Sequence, residues 1–178
     1  MKLAKRQLDK IRRKYALTDR EIEYVILFFK GINDNNEIAQ ELGNTLLTAK
    51  LHITNIYKKL NESHKLSVVI KIIDELKLLP YDIKKPPESL IENFRLKYNL
   101  TNREIDLFLI ICQGITSNKE IGKKMDIGFE TEKIHLKLLY RKTFTNNKLA
   151  LVNKFIEESQ KRSNFFDNIC NSQAASKN

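Results

Sequence analysis

Lys50, Leu51, Thr54 and Lys58 fall on one side of a helical stretch, opposite Ala49, His52, Ile53, Ile56 and Leu60. In a second stretch 83 residues later, Lys133, Ile134, Lys137 and Arg141 take the corresponding side. Residues three or four apart share one face of an α-helix. Amines on such a face hold phosphates, and an α-helix fits the major groove of duplex DNA, where side chains reach base edges. Leu51 and Ile134 are odd on a solvated face; thymine methyl groups or a helix–helix contact would suit them. The chemistry on offer is recognition. The sequence has no phosphate loop, paired-acid site or nucleophile–base pair, so no catalytic residue is expected. His52 and His135 lack a carboxylate, Cys or second His at useful spacing, and Cys112 and Cys170 are isolated, so no metal or cofactor is expected.

A duplicated unit positions these residues. LTDREI at Leu17 returns as LTNREI at Leu100, and sliding the chain by 83 residues aligns much more without a gap. Arg12, Lys14 and Tyr15 meet Arg95, Lys97 and Tyr98; Thr48, Lys50 and His52 meet Thr131, Lys133 and His135. Such register marks internal duplication. Each copy resolves into five helices, and no segment alternates as a half-buried strand does, so the fold is expected to be all-α. Thr18 with Glu21, and Thr101 with Glu104, have capping-box spacing, while Gly31 and Gly114 suit left-handed helix ends. The pairs Asp34/Glu37 and Ser117/Glu120 open a short second helix. After a tight turn, a longer one runs from Thr45 or Gly128 to Leu60 or Thr143, a helix-turn-helix arrangement. A last helix is expected over Lys65–Leu79 and again over Lys148–Glu158.

The prolines, all between Pro80 and Pro87, mark the linker. The expected organisation is a first module over 1–80, a linker over 81–87, a second module over 88–161 and a flexible tail over 162–178. The 178 residues carry a formal net charge of +10, which favours a polyanionic partner. Lys2, Lys5, Arg6, Lys10, Arg12, Arg13 and Lys14 sharpen that signal, facing only Asp9. No apolar run approaches the ~20 residues that cross a bilayer. The N-terminus lacks the features of a secretory signal, so no membrane partner and a cytoplasmic protein are expected.

Both copies resemble the LuxR/GerE-type helix-turn-helix domain of bacterial transcription regulators. The resemblance rests on the LTxRE opening, the Gly after the helix that follows it, the EI of the scaffold helix and TxKxH leading into the recognition helix. It implies two tandem helix-turn-helix bundles without a wing, each preceded by a leading helix, binding double-stranded DNA. It implies base or backbone contacts for Lys50, Leu51, Thr54, Lys133, Ile134 and Lys137. Phosphate contacts are implied for Lys59 and Lys142, and backbone contacts for Asn36 and Lys119. Copy two departs at Glu132, which must find a partner or turn to solvent, at Thr143 in place of a closing Leu, and at Gly128 in place of a Ser/Thr cap.

The last helix of each copy is apolar around most of its circumference, where a surface helix needs one stripe. In the family this helix commonly forms the dimer contact, which nominates Val68, Ile72, Leu76, Leu151 and Phe155 for pairing. The modules would then pair within one chain as a pseudo-dimer, equivalent modules would pair between chains as a homodimer, or the leading helices would cover the surplus surface and leave no oligomer. The function expected is transcription regulation at adjacent half-sites. The alternative is an adaptor of degenerate modules that binds another regulator or RNA polymerase.

Overall fold

The computed structural model describes residues 3–160, which form ten helices and no strand. The expected tail over 162–178, and Cys170 within it, lie outside these residues. Module one comprises α1 (Lys5–Lys14), α2 (Asp19–Phe29), α3 (Asn35–Glu41), α4 (Leu46–Leu60) and α5 (Lys65–Leu76). Module two repeats the order as α6 (Glu88–Tyr98), α7 (Asn102–Cys112), α8 (Asn118–Met125) and α9 (Phe129–Thr143), with α10 over 148–160. The 83-residue offset found in sequence relates both ends of α2 to α7 and both ends of α4 to α9.

Local chemistry sets these boundaries. The Glu21 N–H donates to Thr18 Oγ1 at 3.1 Å while the Thr18 N–H donates to Glu21 Oε2 at 2.7 Å, closing the expected box at the start of α2. Thr101 and Glu104 do the same for α7. Asp34 Oδ1 accepts from the N–H groups of Asn36 and Glu37 at the head of α3. Gly31 and Gly114 take φ of +85° and +87°, the left-handed turn that ends α2 and α7. The last helices differ from expectation at their ends: α10 runs past Glu158 to at least residue 160, and α5 stops at Leu76, short of Leu79. Lys77 turns left-handed at φ +50°, and the Leu78 N–H bonds back to Ile73 O at 3.0 Å. That closure satisfies a terminal carbonyl and ends the helix despite the apolar residues beyond it.

The modules fill equivalent cores with different side chains. In module two, Phe94, Phe108 and Phe155 pack edge-on or tilted with centroids 4.9–5.2 Å apart. The matching residues of module one are Ile11, Val25 and Ile72, all at most 1 % exposed. Module one instead buries Tyr24, Phe28 and Phe29 where module two has Leu107, Ile111 and Cys112. Bulk removed from one layer is restored in another, as close packing requires.

Residues of the two modules also meet. Asn153 Nδ2 of α10 donates to the carbonyls of Phe28 and Phe29 at 2.8 and 3.1 Å, capping the end of α2. Asn147 Nδ2 donates to Gly31 O at 3.3 Å. A Cβ on Gly31 would lie 3.1 Å from Ala150 Cα, whereas one on Gly114 would meet Ile70 Cδ1 at an ordinary 3.7 Å. Ile70 and Asn153 are equivalent positions, as are Gly31 and Gly114. Both glycines share the left-handed strain cost on substitution, so the crowding separates them. Gly31→Ala is expected to lower stability by roughly 1–2 kcal/mol more than Gly114→Ala. Parallel thermal melts check this; equal losses would show that α10 yields freely.

Candidate nucleic-acid interface

The exposed side of α4 carries Lys50, Leu51, Thr54 and Lys58, while Ala49, Ile53, Ile56 and Leu60 are buried. On α9 the exposed set is Lys133, Ile134, Lys137 and Arg141, over buried Glu132, Leu136, Leu139 and Thr143. Leu51 and Ile134 are 60 % and 59 % exposed, a matched pair of large aliphatic groups in solvent. His52 turns inward and half-buried, its ring 5.1 Å from that of Tyr24; His135 is half-buried too. Asn36 and Lys119 stand exposed at the second residue of α3 and α8.

The two exposed faces are not equivalent. Lys50, Lys58, Lys137 and Arg141 form no ion pair among the described residues, so their charge is available to a ligand. Lys133 is partly occupied: its Nζ donates to Glu130 Oε1 at 3.0 Å and lies 4.0 Å from the Phe129 ring centroid. The Thr54 hydroxyl donates back to Lys50 O at 2.8 Å, anchoring that side chain against its own helix.

Lys59 and Lys142 hold the recognition helices in place. Lys59 Nζ donates to Ala16 O at 2.9 Å and to Glu21 Oε2 at 2.7 Å; Lys142 repeats both bonds with Asn99 O and Glu104 Oε2. The carboxylates are nearly sealed, at 3 % and 2 % side-chain exposure. Burial alone would push each carboxyl up, but the lysine ammonium and the capping N–H of Thr18 or Thr101 hold it below its ordinary value. Each bridge ties the end of a recognition helix to the start of the LTxRE helix.

A second lysine pair fixes the scaffold helix. Lys65 Nζ donates to Asn33 O and Asn35 Oδ1, each at 2.6 Å, and burial pulls its pKa down to about 8 against the opposing charge of Asp34. Lys148 binds Thr116 O at 2.7 Å and also Asn118 Oδ1. Sequence reasoning assigned neither lysine; their recurrence at matching positions beside Asn35 and Asn118 was the signal. It also missed Asn153, whose clue was one amide in the apolar run of α10.

Glu132 takes neither course expected of it. It is 0 % exposed, and neither carboxylate oxygen has a hydrogen-bond partner. The nearby Lys148 ammonium is already committed to Thr116 and Asn118, so it acts on Glu132 only through its field. Thr143 is buried without penalty because its hydroxyl donates to Leu139 O at 2.8 Å. Gly128 offers α9 no side-chain cap, whereas Thr45 accepts from the Thr48 N–H at the start of α4.

Of the residues nominated for pairing, Val68, Ile72, Leu151 and Phe155 are buried and Leu76 is half-buried. Cys112 is buried, and burial pushes its thiol well above the ordinary range. Among the described residues no cluster of three or more His, Cys, Asp or Glu could hold a metal ion, and no helix is long and apolar enough to cross a membrane.

The chain is similar to regulators described as "HTH-type transcriptional regulator MalT". It is 35 % identical to that of Serratia proteamaculans over 75 residues, and 36 % identical over 69 residues to those of Vibrio campbellii and Vibrio parahaemolyticus. These stretches cover 42 % and 39 % of this chain but only 8 % of each relative's length. No solved structure matches. Residues 15–72 and 98–155, well over half of the chain, each match the family "Bacterial regulatory proteins, luxR family". Both matches contain the capping box, scaffold helix and exposed recognition face, and the chain therefore belongs to the luxR family of bacterial regulatory proteins, with two of its helix-turn-helix domains in tandem.

Proposed function

We propose that this chain is a transcription regulator that lays α4 and α9 in the major groove at two adjacent half-sites of duplex DNA. The carrying observation is the matched exposure of cationic and aliphatic side chains on two helices whose opposite faces are buried. Lys50, Leu51 and Thr54, with Lys133, Ile134 and Lys137, face the base edges. Lys58 and Arg141, with the remaining N–H of Lys59 and Lys142, face phosphates; Asn36 and Lys119 touch the backbone from the scaffold helices. The polar contacts from α10 to the end of α2 support intrachain pairing, so one chain supplies both reading helices without a homodimer.

In-vitro selection from random duplex DNA tests this reading. The expected product has two unlike halves about 10–10.5 base pairs apart, occupied by one chain in sedimentation. Lys137→Ala should weaken binding and reduce the slope of log K against log salt by about 0.9. Leu51→Ala should alter base preference in its half-site and leave that slope unchanged. Equal affinity for selected and scrambled duplexes at every salt concentration would sink the proposal. Leu47, 80 % exposed, and Phe129, 50 % exposed, favour a second reading in which the helix starts dock on a transcription-machinery protein. Sequence-blind DNA binding together with a stable complex with purified RNA polymerase would select it.

A further inference from the structure

We infer that α1 is a separate phosphate-binding surface that grips duplex DNA just outside the half-site read by α4; this rests on the DNA-reading role proposed for α4. Helix α1 carries six basic residues and one acid, and it ends at Lys14, before the luxR-family match begins at residue 15. Two of its cations are committed, Arg12 to Asp19 and Lys14 to Glu75. The side chains of Lys5, Arg6, Lys10 and Arg13 are exposed and form no ion pair or hydrogen bond among the described residues. Arg6, Lys10 and Arg13 follow one another at spacings of four and three, so they share one face, turned away from buried Ile11. They therefore form one outward stripe, flanked by half-buried Asp9.

The repeat supplies an internal control. The positions of α6 that match Lys5, Arg6, Lys10 and Arg13 hold Glu88, Ser89, Asn93 and Leu96, and α6 balances two acids with two bases. The same helix forms at the same place in the module without the cations. Folding does not require them, so their use is external.

Position identifies the ligand. Lys59, one residue from the end of α4, donates to Ala16 O just beyond the end of α1. The C-terminal end of α1 thus lies beside the C-terminal end of the recognition helix. A polyanion lying along α4 and continuing past it meets α1 next. From Arg6 to Arg13 the helix rises about 10 Å, a length of duplex that carries roughly six phosphates on its two strands. Three cations can engage about half of these. Because α6 lacks the stripe, the grip is one-sided, and the protected DNA extends farther beyond the first half-site than beyond the second.

The test uses the full chain on its selected duplex. Replacing Arg6, Lys10 and Arg13 together by Gln should shorten the hydroxyl-radical footprint at the α4 end only. The slope of log K against log salt should become shallower by about 2–3, with base preference retained. Arg6→Lys with Arg13→Lys should keep the full footprint, since the charges remain. Should the triple variant misfold, Lys10→Asn alone, the residue α6 already bears, should reduce the slope by about 0.9. Unchanged footprint and slope in a variant whose parent discriminates the duplex would overturn the α1 surface alone. A parent that discriminates no duplex would overturn the DNA-reading role beneath it.

Discussion

Lys59→Met lowers the stability of module one by about 2–3 kcal/mol at neutral pH, and Lys142→Met does the same to module two. Each removes the ammonium that neutralises a nearly sealed carboxylate, Glu21 or Glu104, and leaves the charge with only its capping bonds to Thr18 or Thr101. Orphaning one partner of a fully buried pair typically costs ~3–5 kcal/mol. The lower figure applies because the lysine side chains remain 32 % and 26 % exposed and water screens part of the interaction. For modules of this size the loss corresponds to a fall in Tm of roughly 10 °C or more. The pH dependence carries the diagnosis. Both carboxyls are held below their ordinary value, so the bridge contributes above that value and its contribution fades as pH falls through the depressed pKa. Melting curves of parent and variant should therefore converge in acid. Adding Glu21→Gln to Lys59→Met should recover part of the loss, since no buried charge is then stranded. A Tm difference that stays constant from neutral to acid pH would mean that Lys59 contributes only packing.

Those lysines also show what the sequence could and could not disclose. Elements whose boundaries depend on neighbours in sequence were legible. The capping boxes at Thr18 and Thr101 and the glycine turns at Gly31 and Gly114 form where spacing placed them. The split between exposed Lys50, Leu51, Thr54 and Lys58 and their buried opposite face followed from helical periodicity alone. The end of α5 was not legible, because a left-handed lysine at Lys77 is not a residue type that announces a turn.

Long-range polar contacts were the least accessible. Lys59 sits 38 residues from Glu21, and Lys65 sits 30 from the Asn35 side chain that it binds. Nothing local distinguishes these lysines from the surface cations around them; only the recurrence at Lys142 and Lys148 does. Duplication thus acts as evidence in two directions. Internally bonded positions that keep their residue type in both modules, such as the Lys59/Glu21 bridge, mark what the fold needs. Positions that diverge, such as Arg6 against Ser89 or Thr54 against Lys137, mark where the fold tolerates freedom and recognition can be written.

Glu132 is a divergence that the fold carries at a cost, and Glu132→Met should raise the stability of module two by about 2 kcal/mol near pH 8. Its counterpart Ala49 is also fully buried, so the site is apolar in module one by construction. In module two two carboxylate oxygens occupy that environment without a donor. Burial pushes the carboxyl up, and the fields of Lys148 and Lys133 oppose that shift. A group whose folded pKa lies above its unfolded value favours the fold when protonated, and that contribution is lost as pH rises through the raised pKa. The gain from Met should therefore be largest at neutral to alkaline pH and shrink in acid, the direction opposite to the acid rise from losing Lys59's bridge. Met keeps the unbranched shape and near length of Glu, whereas Glu132→Ala opens a cavity and should recover less. Lys148 loses a stabilising field in both variants but keeps its bonds to Thr116 and Asn118, so it stays in place. Chemical denaturation of both variants at pH 4 and pH 8 measures the difference. Equal stability of parent and Glu132→Met at pH 8 would show that the fields of Lys148 and Lys133 already offset the burial of the carboxylate.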